Sequence, residues 1–208
     1  MRRLASAVLL LFCCVGQSWG QQLAPARLVF RTGFGYDQGD FGSAEVSKAL
    51  YVPFSLRYVA NKFDLSVASS VARIDTAGGI RLIDGVPTQT DSSQGSLRET
   101  GIGDTVLRSR FFVHDSVTPF VRIKTPTASE ERGLGTGKTD FGFGVELDKT
   151  FGAWIVFGDV SYTFMGDPDD IDFRNRPGAS LGVGYRISEL LSVAALGDWR
   201  RAPAPGPA

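Results

Sequence analysis

Cysteine, histidine and long apolar runs are all scarce in this chain, and each scarcity excludes something. The 208 residues hold two cysteines, Cys13 and Cys14, and one histidine, His114. Beyond residue 14, therefore, no disulfide and no thiolate metal site can be built. A lone histidine leaves little for nucleophile–base catalysis. Charge of one sign is not in excess either: 22 Lys and Arg stand against 22 Asp and Glu. A nucleic acid is not an expected partner, because its backbone is gripped by a surplus of cations. Apolar residues make up 43% and aromatics 11%, which is too much for a disordered chain. After residue 15 no stretch reaches eighteen consecutive apolar residues, so no transmembrane helix is expected there.

The first twenty residues read as an export signal. Arg2 and Arg3 open it, 4–15 is an apolar run too short to span a bilayer comfortably, and Ser18 and Gly20 put small residues where a signal peptidase reads. The expectation is cleavage after Gly20 and a mature chain that begins at Gln21 without cysteine. Losing Arg2 and Arg3 from 22 basic residues leaves 20 against 22 acidic ones. A lipoprotein anchor at Cys13 or Cys14 is the alternative, weakened by bulky Phe12 in front of Cys13.

The rest of the chain runs with a period of two. Leu28, Phe30, Thr32, Phe34 and Tyr36 alternate with Val29, Arg31, Gly33 and Gly35. The alternation recurs at 50–58, 63–72, 104–113, 119–125, 140–147, 154–164, 179–187 and 191–199. Nine strands are expected, most of them near the roughly 9–11 residues that a tilted strand needs to cross a bilayer. The connections at 60–62, 114–118, 149–152 and 188–190 are short; those at 37–48, 75–100, 126–139 and 166–178 are long, polar and rich in Gly and Asp. Short and long alternate, which puts turns at one end and loops at the other, as in outer-membrane barrels.

The two strand faces differ in kind. One carries Leu, Val, Ile, Phe and Tyr. The other carries Arg31, Arg57, Asp64, Asp104, Arg108, Arg110, Arg122, Lys124, Asp140, Glu146, Asp148, Asp159 and Arg186. A charge facing hydrocarbon costs roughly 2–4 kcal/mol at the bilayer midplane. Thirteen such costs exceed a domain's whole stability of roughly 5–15 kcal/mol. The charged face is therefore expected inside, lining a lumen. Seven of its charges are basic and six acidic, which points to mutual pairing across a narrow bore. Tyr58 with Phe63, Phe151 with Trp154, and Tyr162 with Phe164 lie near strand ends, where interfacial aromatics sit. A half-exposed soluble sheet would show the same alternation.

Other motifs have commoner explanations. The run Gly133-Leu-Gly-Thr-Gly-Lys-Thr139 looks like a phosphate loop, but Arg132 stands where its first glycine belongs, and a strand follows instead of a helix. A flexible external loop is expected there. His114 falls in a short turn. Asp167, Asp169, Asp170 and Asp172 crowd one long loop, where they could hold a divalent cation against lipopolysaccharide phosphates or simply be solvated. No metal or cofactor is expected.

Two stretches carry a family resemblance. Residues 101–112 (GIGDTVLRSRFF) open on Gly-x-Gly-Asp104. Residues 121–168 contain Lys124-x-Pro-Thr-Ala128 and Gly135-Thr-Gly-x-x-Asp140. Both stretches resemble the outer-membrane transporter family of the meta-pathway of phenol degradation. That family shows a G-x-G-D strand start, a K-x-P-T-G strand end and a G-T-G-x-x-D loop-to-strand junction. Ala128 departs from the usual glycine. The resemblance covers about half of the mature chain and implies passage of small hydrophobic or aromatic compounds through an outer-membrane barrel. Such barrels close with further strands and end on an aromatic residue, whereas here Trp199 is followed by RRAPAPGPA, whose Pro203, Pro205 and Pro207 cannot join a ladder.

The expected architecture is an all-β, antiparallel, up-and-down transmembrane β-barrel of outer-membrane type. Signal 1–20, barrel 21–200 and an irregular Pro/Ala-rich tail 201–208 divide the chain. Nine strands are odd where bacterial single-chain barrels are even, so a barrel cut short from about twelve is expected. Its expected surroundings are outer-membrane lipid and lipopolysaccharide. The leading function is passive passage of small hydrophobic or aromatic solutes, with Arg108, Arg110, Arg122, Lys124, Asp140, Glu146 and Asp159 lining any route. The second is a structural or surface-interaction barrel with a closed, salt-bridged lumen. The third is a soluble secreted β-barrel holding a lipophilic ligand. An enzyme is the least supported.

Overall fold

The computed structural model describes residues 26–39, 46–76, 80–83, 86–89, 97–167 and 173–202. The expected signal 1–20 with both cysteines, the prolines at 203, 205 and 207, and Asp169, Asp170 and Asp172 lie outside these residues. Among the described residues there is no helix. The strands are β1 (Arg27–Thr32), β2 (Gly35–Gly39), β3 (Ser47–Val59), β4 (Phe63–Thr76), β5 (Ile80–Ile83), β6 (Val86–Gln89), β7 (Leu97–Ile102), β8 (Thr105–Phe111), β9 (Val117–Thr125), β10 (Asp140–Phe151), β11 (Trp154–Phe164), β12 (Arg176–Arg186) and β13 (Ser192–Arg200). β5 and β6 pair only with each other. The other strands form one antiparallel sheet in the order β1-β3-β4-β8-β9-β10-β11-β12-β13, with β2 also on β3 and β7 also on β4. The nine expected strands are the nine positions of this meander.

Two of those positions are interrupted, each for a local reason. β1 and β2 keep one register along β3: Thr32 faces Phe54 and Gly35 faces Tyr51. Between them stands Pro53, which has no N–H to give the ladder and only accepts, from the Gly33 N–H at 3.2 Å. β7 and β8 do not share a register along β4. Ile102 faces Val71 and Val106 faces Ala68, so three residues at 103–105 span two at 69–70. This is a β-bulge, and the extra residue reverses which side chains point inward. β7 and the β5–β6 hairpin occupy sequence expected to be loop, and for β7 the parity change at Gly103 hides the continuation of the period-two pattern.

Short connections all lie at one end of the sheet and long ones at the other. The tightest, Gly152-Ala153, joins β10 to β11, and Gly152 takes a left-handed φ of 60° that suits a two-residue hairpin. At that end Tyr58 packs on Phe63 (centroids 6.4 Å apart) and Trp154 on Tyr185 (4.7 Å). Toward the opposite end Phe164 packs on Phe141, Phe143 and Tyr162.

The sheet curls into a half-barrel. Arg31 of β1 lines the same cavity as side chains of β10 to β13, which places the two ends of the strand order around one concave space. Burial is inverted relative to a globular core. Leu28 and Phe30 are 69% and 64% exposed on the convex side, whereas Asp64, Lys124 and Asp140 on the concave side are 0%, 3% and 2% exposed. The buried apolar cluster is small, comprising Ala49, Ala72, Ile74, Ala128 and Leu134 with Tyr51 against it, at the long-loop end.

The register is testable with cysteines. Val145 faces Val160 across β10 and β11, both on the convex side. With Cys13 and Cys14 replaced by serine, a Val145→Cys/Val160→Cys chain should oxidise to an internal disulfide, read as a gel shift that reductant reverses. Val145→Cys/Asp159→Cys, whose side chains leave opposite faces, should not.

Candidate functional site

The three Gly-rich motifs meet in space around Lys124. Its Nζ lies 2.8 Å from Asp140 Oδ2 and 3.3 Å from Asp104 Oδ2, and donates to Thr136 Oγ1 at 2.8 Å. The bulge at Gly103 turns Asp104 inward, where Oδ1 accepts the Ala128 N–H at 3.1 Å. Asp140 starts β10 opposite Lys124, and its Oδ1 accepts the Gly166 N–H at 2.9 Å. Two carboxylates around one ammonium, with backbone donors on their remaining lone pairs, is the arrangement in which buried charge is tolerated.

This cluster holds 126–139 inside the curl. The segment was expected to be a flexible external loop; instead Leu134 and Thr136 are 3% and 1% exposed, and Leu134 belongs to the buried apolar cluster. The physical reason is that the segment's polar groups find partners on the inner wall. Thr127 Oγ1 donates to Gly103 O at 3.1 Å, alongside the Lys124–Thr136 and Ala128–Asp104 bonds. Gly135 is required by crowding, since a Cβ there would sit 2.7 Å from Ala128 Cβ and 2.9 Å from Asp104 Oδ1.

Lower on the wall, toward the short turns, a second ionic network runs sideways along the sheet. Asp64 of β4 lies between Arg57 of β3, which it pairs at short range, and Arg110 of β8 at 2.5 Å. Arg110 also reaches Glu146 of β10 at 3.0 Å, and Glu146 takes Arg108 at 2.6 Å. β9 lies between β8 and β10, and the pairs pass over it where Phe120 lies flat against Gly144. A Cβ on Gly144 would stand 2.6 Å from Phe120 Cζ, and the Arg108 guanidinium sits 3.9 Å above the Phe120 ring. The pairing expected across a bore thus runs along the wall, between strands one or two positions apart, because those distances are fixed by the ladder and within reach of an arginine.

Arg122 donates to Thr163 Oγ1 at 2.7 Å, and Ser180 Oγ donates to Asp159. Asp148 is half-buried near the short-turn end of β10. Arg31 and Arg186 line a cavity of about 460 Å³. A smaller cavity of about 120 Å³ is lined by Arg108, Arg122, Arg176 and Arg200 with Glu146 and Asp159. Arg176 and Arg200 escaped the sequence reading because Arg176 falls in the expected loop 166–178 and Arg200 lies one residue past the expected strand 191–199. Their even numbers match Asp198 and Arg186 in the period-two pattern and were the available signal. Asp167 accepts the Phe173 N–H at 2.9 Å, as a loop-shaping residue does. His114 closes its short turn by accepting the Ser116 N–H on Nδ1 at 3.2 Å. No group of His, Cys, Asp or Glu suited to a metal ion occurs among the described residues.

No family model matches the chain, and no curated protein matches it.

Lys124→Met should leave Asp104 and Asp140 buried without their shared cation and lower stability by about 3–5 kcal/mol, read from the urea midpoint of the refolded chain. Gly135→Ala should push 126–139 off the wall. Faster cleavage at the exposed Glu131 by a Glu-specific protease would register it.

Proposed function

We propose that this chain is an outer-membrane β-barrel protein whose concave face forms a constricted, passive route for small hydrophobic or aromatic compounds. The observation that carries the reading is the inverted burial: a continuous apolar convex face and an ionic concave one. Leu107, Ile123 and Phe141 sit in register on adjacent strands, each more than a third exposed, as do Leu56, Leu65, Val121 and Phe143 nearby. A soluble protein rarely exposes a contiguous apolar patch beyond a few hundred Å². Hydrocarbon is the medium that such a surface suits, with aromatic pairs at both strand ends at the depth of lipid headgroups. The reading assigns the protein to the outer membrane, in contact with lipid and lipopolysaccharide. The Gly-rich motifs shared with the phenol meta-pathway transporters support the substrate class, and passage by binding and diffusion needs no reaction chemistry.

A specific observation favours the second reading, a structural barrel with a closed lumen: Leu134 and Thr136 lie folded inside, and the ionic networks satisfy much of the wall. Flux decides between them. The refolded chain in liposomes should admit small solutes in a swelling assay, and Leu134→Ala, which trims the side chain packed on Gly101, should raise that flux severalfold. Zero flux from both chains would leave the closed barrel.

The outward face has its own test. Val121→Arg places a charge in the apolar belt and should cost about 2–4 kcal/mol of stability in a bilayer, with a lower yield of inserted protein. Lys149→Arg, near the short turns, should have no such effect.

A further inference from the structure

We propose that the concave face near the short turns is a binding site for small apolar carboxylates, with Arg31 and Arg186 as its anion-binding pair. The cavity of about 460 Å³ there falls in the size range of small-molecule sites, roughly 300–1,000 Å³. Its wall is largely apolar, with Ile155, Phe157 and Ala194 among the lining residues of the concave side. Arg31 and Arg186 are its two charged lining residues, and no carboxylate lines it.

The contrast with the other inward arginines identifies this pair. Arg57, Arg108 and Arg110 are held by Asp64 and Glu146. Arg31 and Arg186 are exposed, neither makes an ion pair or side-chain hydrogen bond with another described residue, and Arg31 acts on Asp64 only from farther off, where that carboxylate is already paired with Arg57 and Arg110. A guanidinium presents a planar fork that matches a carboxylate in two parallel hydrogen bonds. An apolar wall beside it removes water, which strengthens that pairing and rewards a hydrophobic body on the same molecule. A neutral aromatic would use the wall and leave the cations unanswered. A bare small anion would use the cations and leave the wall wet. A molecule with one ring or short chain and one carboxylate uses both. The two arginines come from β1 and β12, so the site exists only once the sheet has curled.

The inference rests on the reading of the concave face as a water-filled interior, and its test separates the two. Trp154 leaves the outer face beside the cavity, so binding is read directly, as ligand retained by the pelleted vesicles above that held by protein-free ones. With the full chain refolded in phosphatidylcholine vesicles, 4-phenylbutyrate should bind saturably. 4-Phenylbutan-1-ol and acetate should bind at least about tenfold more weakly, as expected when a charge-assisted hydrogen bond or the apolar contact is lost. Arg31→Gln and Arg186→Gln should each weaken phenylbutyrate about tenfold and leave phenylbutanol unchanged. Equal binding of the alcohol, or of acetate, by the parent chain overturns the proposal without any variant. Oleate binding far tighter than phenylbutyrate would assign the site to lipid carboxylates and overturn it for small solutes. Solute flux measured in the same vesicles keeps the claims apart: phenylbutyrate binding without flux removes transport and keeps the site, whereas flux without such binding removes the site and keeps transport.

Discussion

An ionised side chain taken out of water needs an opposite charge and hydrogen bonds to its remaining lone pairs, or it destabilises the fold by several kcal/mol. In this sheet that requirement is met on one face only. Asp64 sits between Arg57 and Arg110, and Lys124 between Asp104 and Asp140, all on side chains that alternate inward along the strands. Since side chains in a strand leave alternately to either side, committing these groups to the inside commits Leu56, Leu65, Leu107, Ile123 and Phe141 to the outside. The apolar cluster that remains inside is a handful of residues, and it exists because Leu134 is brought down to it.

Lys124 links three otherwise separate features. It holds the bulge residue Asp104 on one strand, Asp140 at the start of another, and Thr136 in the segment between strands. A polar, glycine-rich connection thereby becomes part of the inner wall. The glycines serve closeness here more than flexibility: at Gly135 the backbone passes within contact of Ala128 and the Asp104 carboxylate, where any side chain would intrude.

The fold was legible in the sequence because the alternation is strict over long stretches and one of its two faces is charged. Arg57, Asp64, Arg108, Arg110 and Glu146 pair with one another, and Lys124 pairs with Asp104 and Asp140, on the face opposite the exposed Leu, Ile and Phe side chains, and short and long connections alternate between the two ends of the sheet. What escaped has identifiable causes. One inserted residue at 103–105 reversed the phase, so the strand that ends at Ile102 looked like loop. Arg176 and Arg200 sit at strand ends, where the pattern stops being self-correcting. The placement of 126–139 depends on Lys124 reaching a threonine twelve residues away, and local periodicity carries no information about such a contact. The single leucine in that segment, Leu134, was the one residue at odds with a solvated loop.

Every neighbouring pair in the order from β1 to β13 is antiparallel, and the order has nine positions, so its two flanking strands point the same way. A seam made by joining these flanks directly would be parallel, with slanted and slightly weaker hydrogen bonds than every other pair in the wall. An antiparallel seam instead requires an odd number of intervening strands, so polarity alone divides the conceivable ways of closing this half-barrel into two classes.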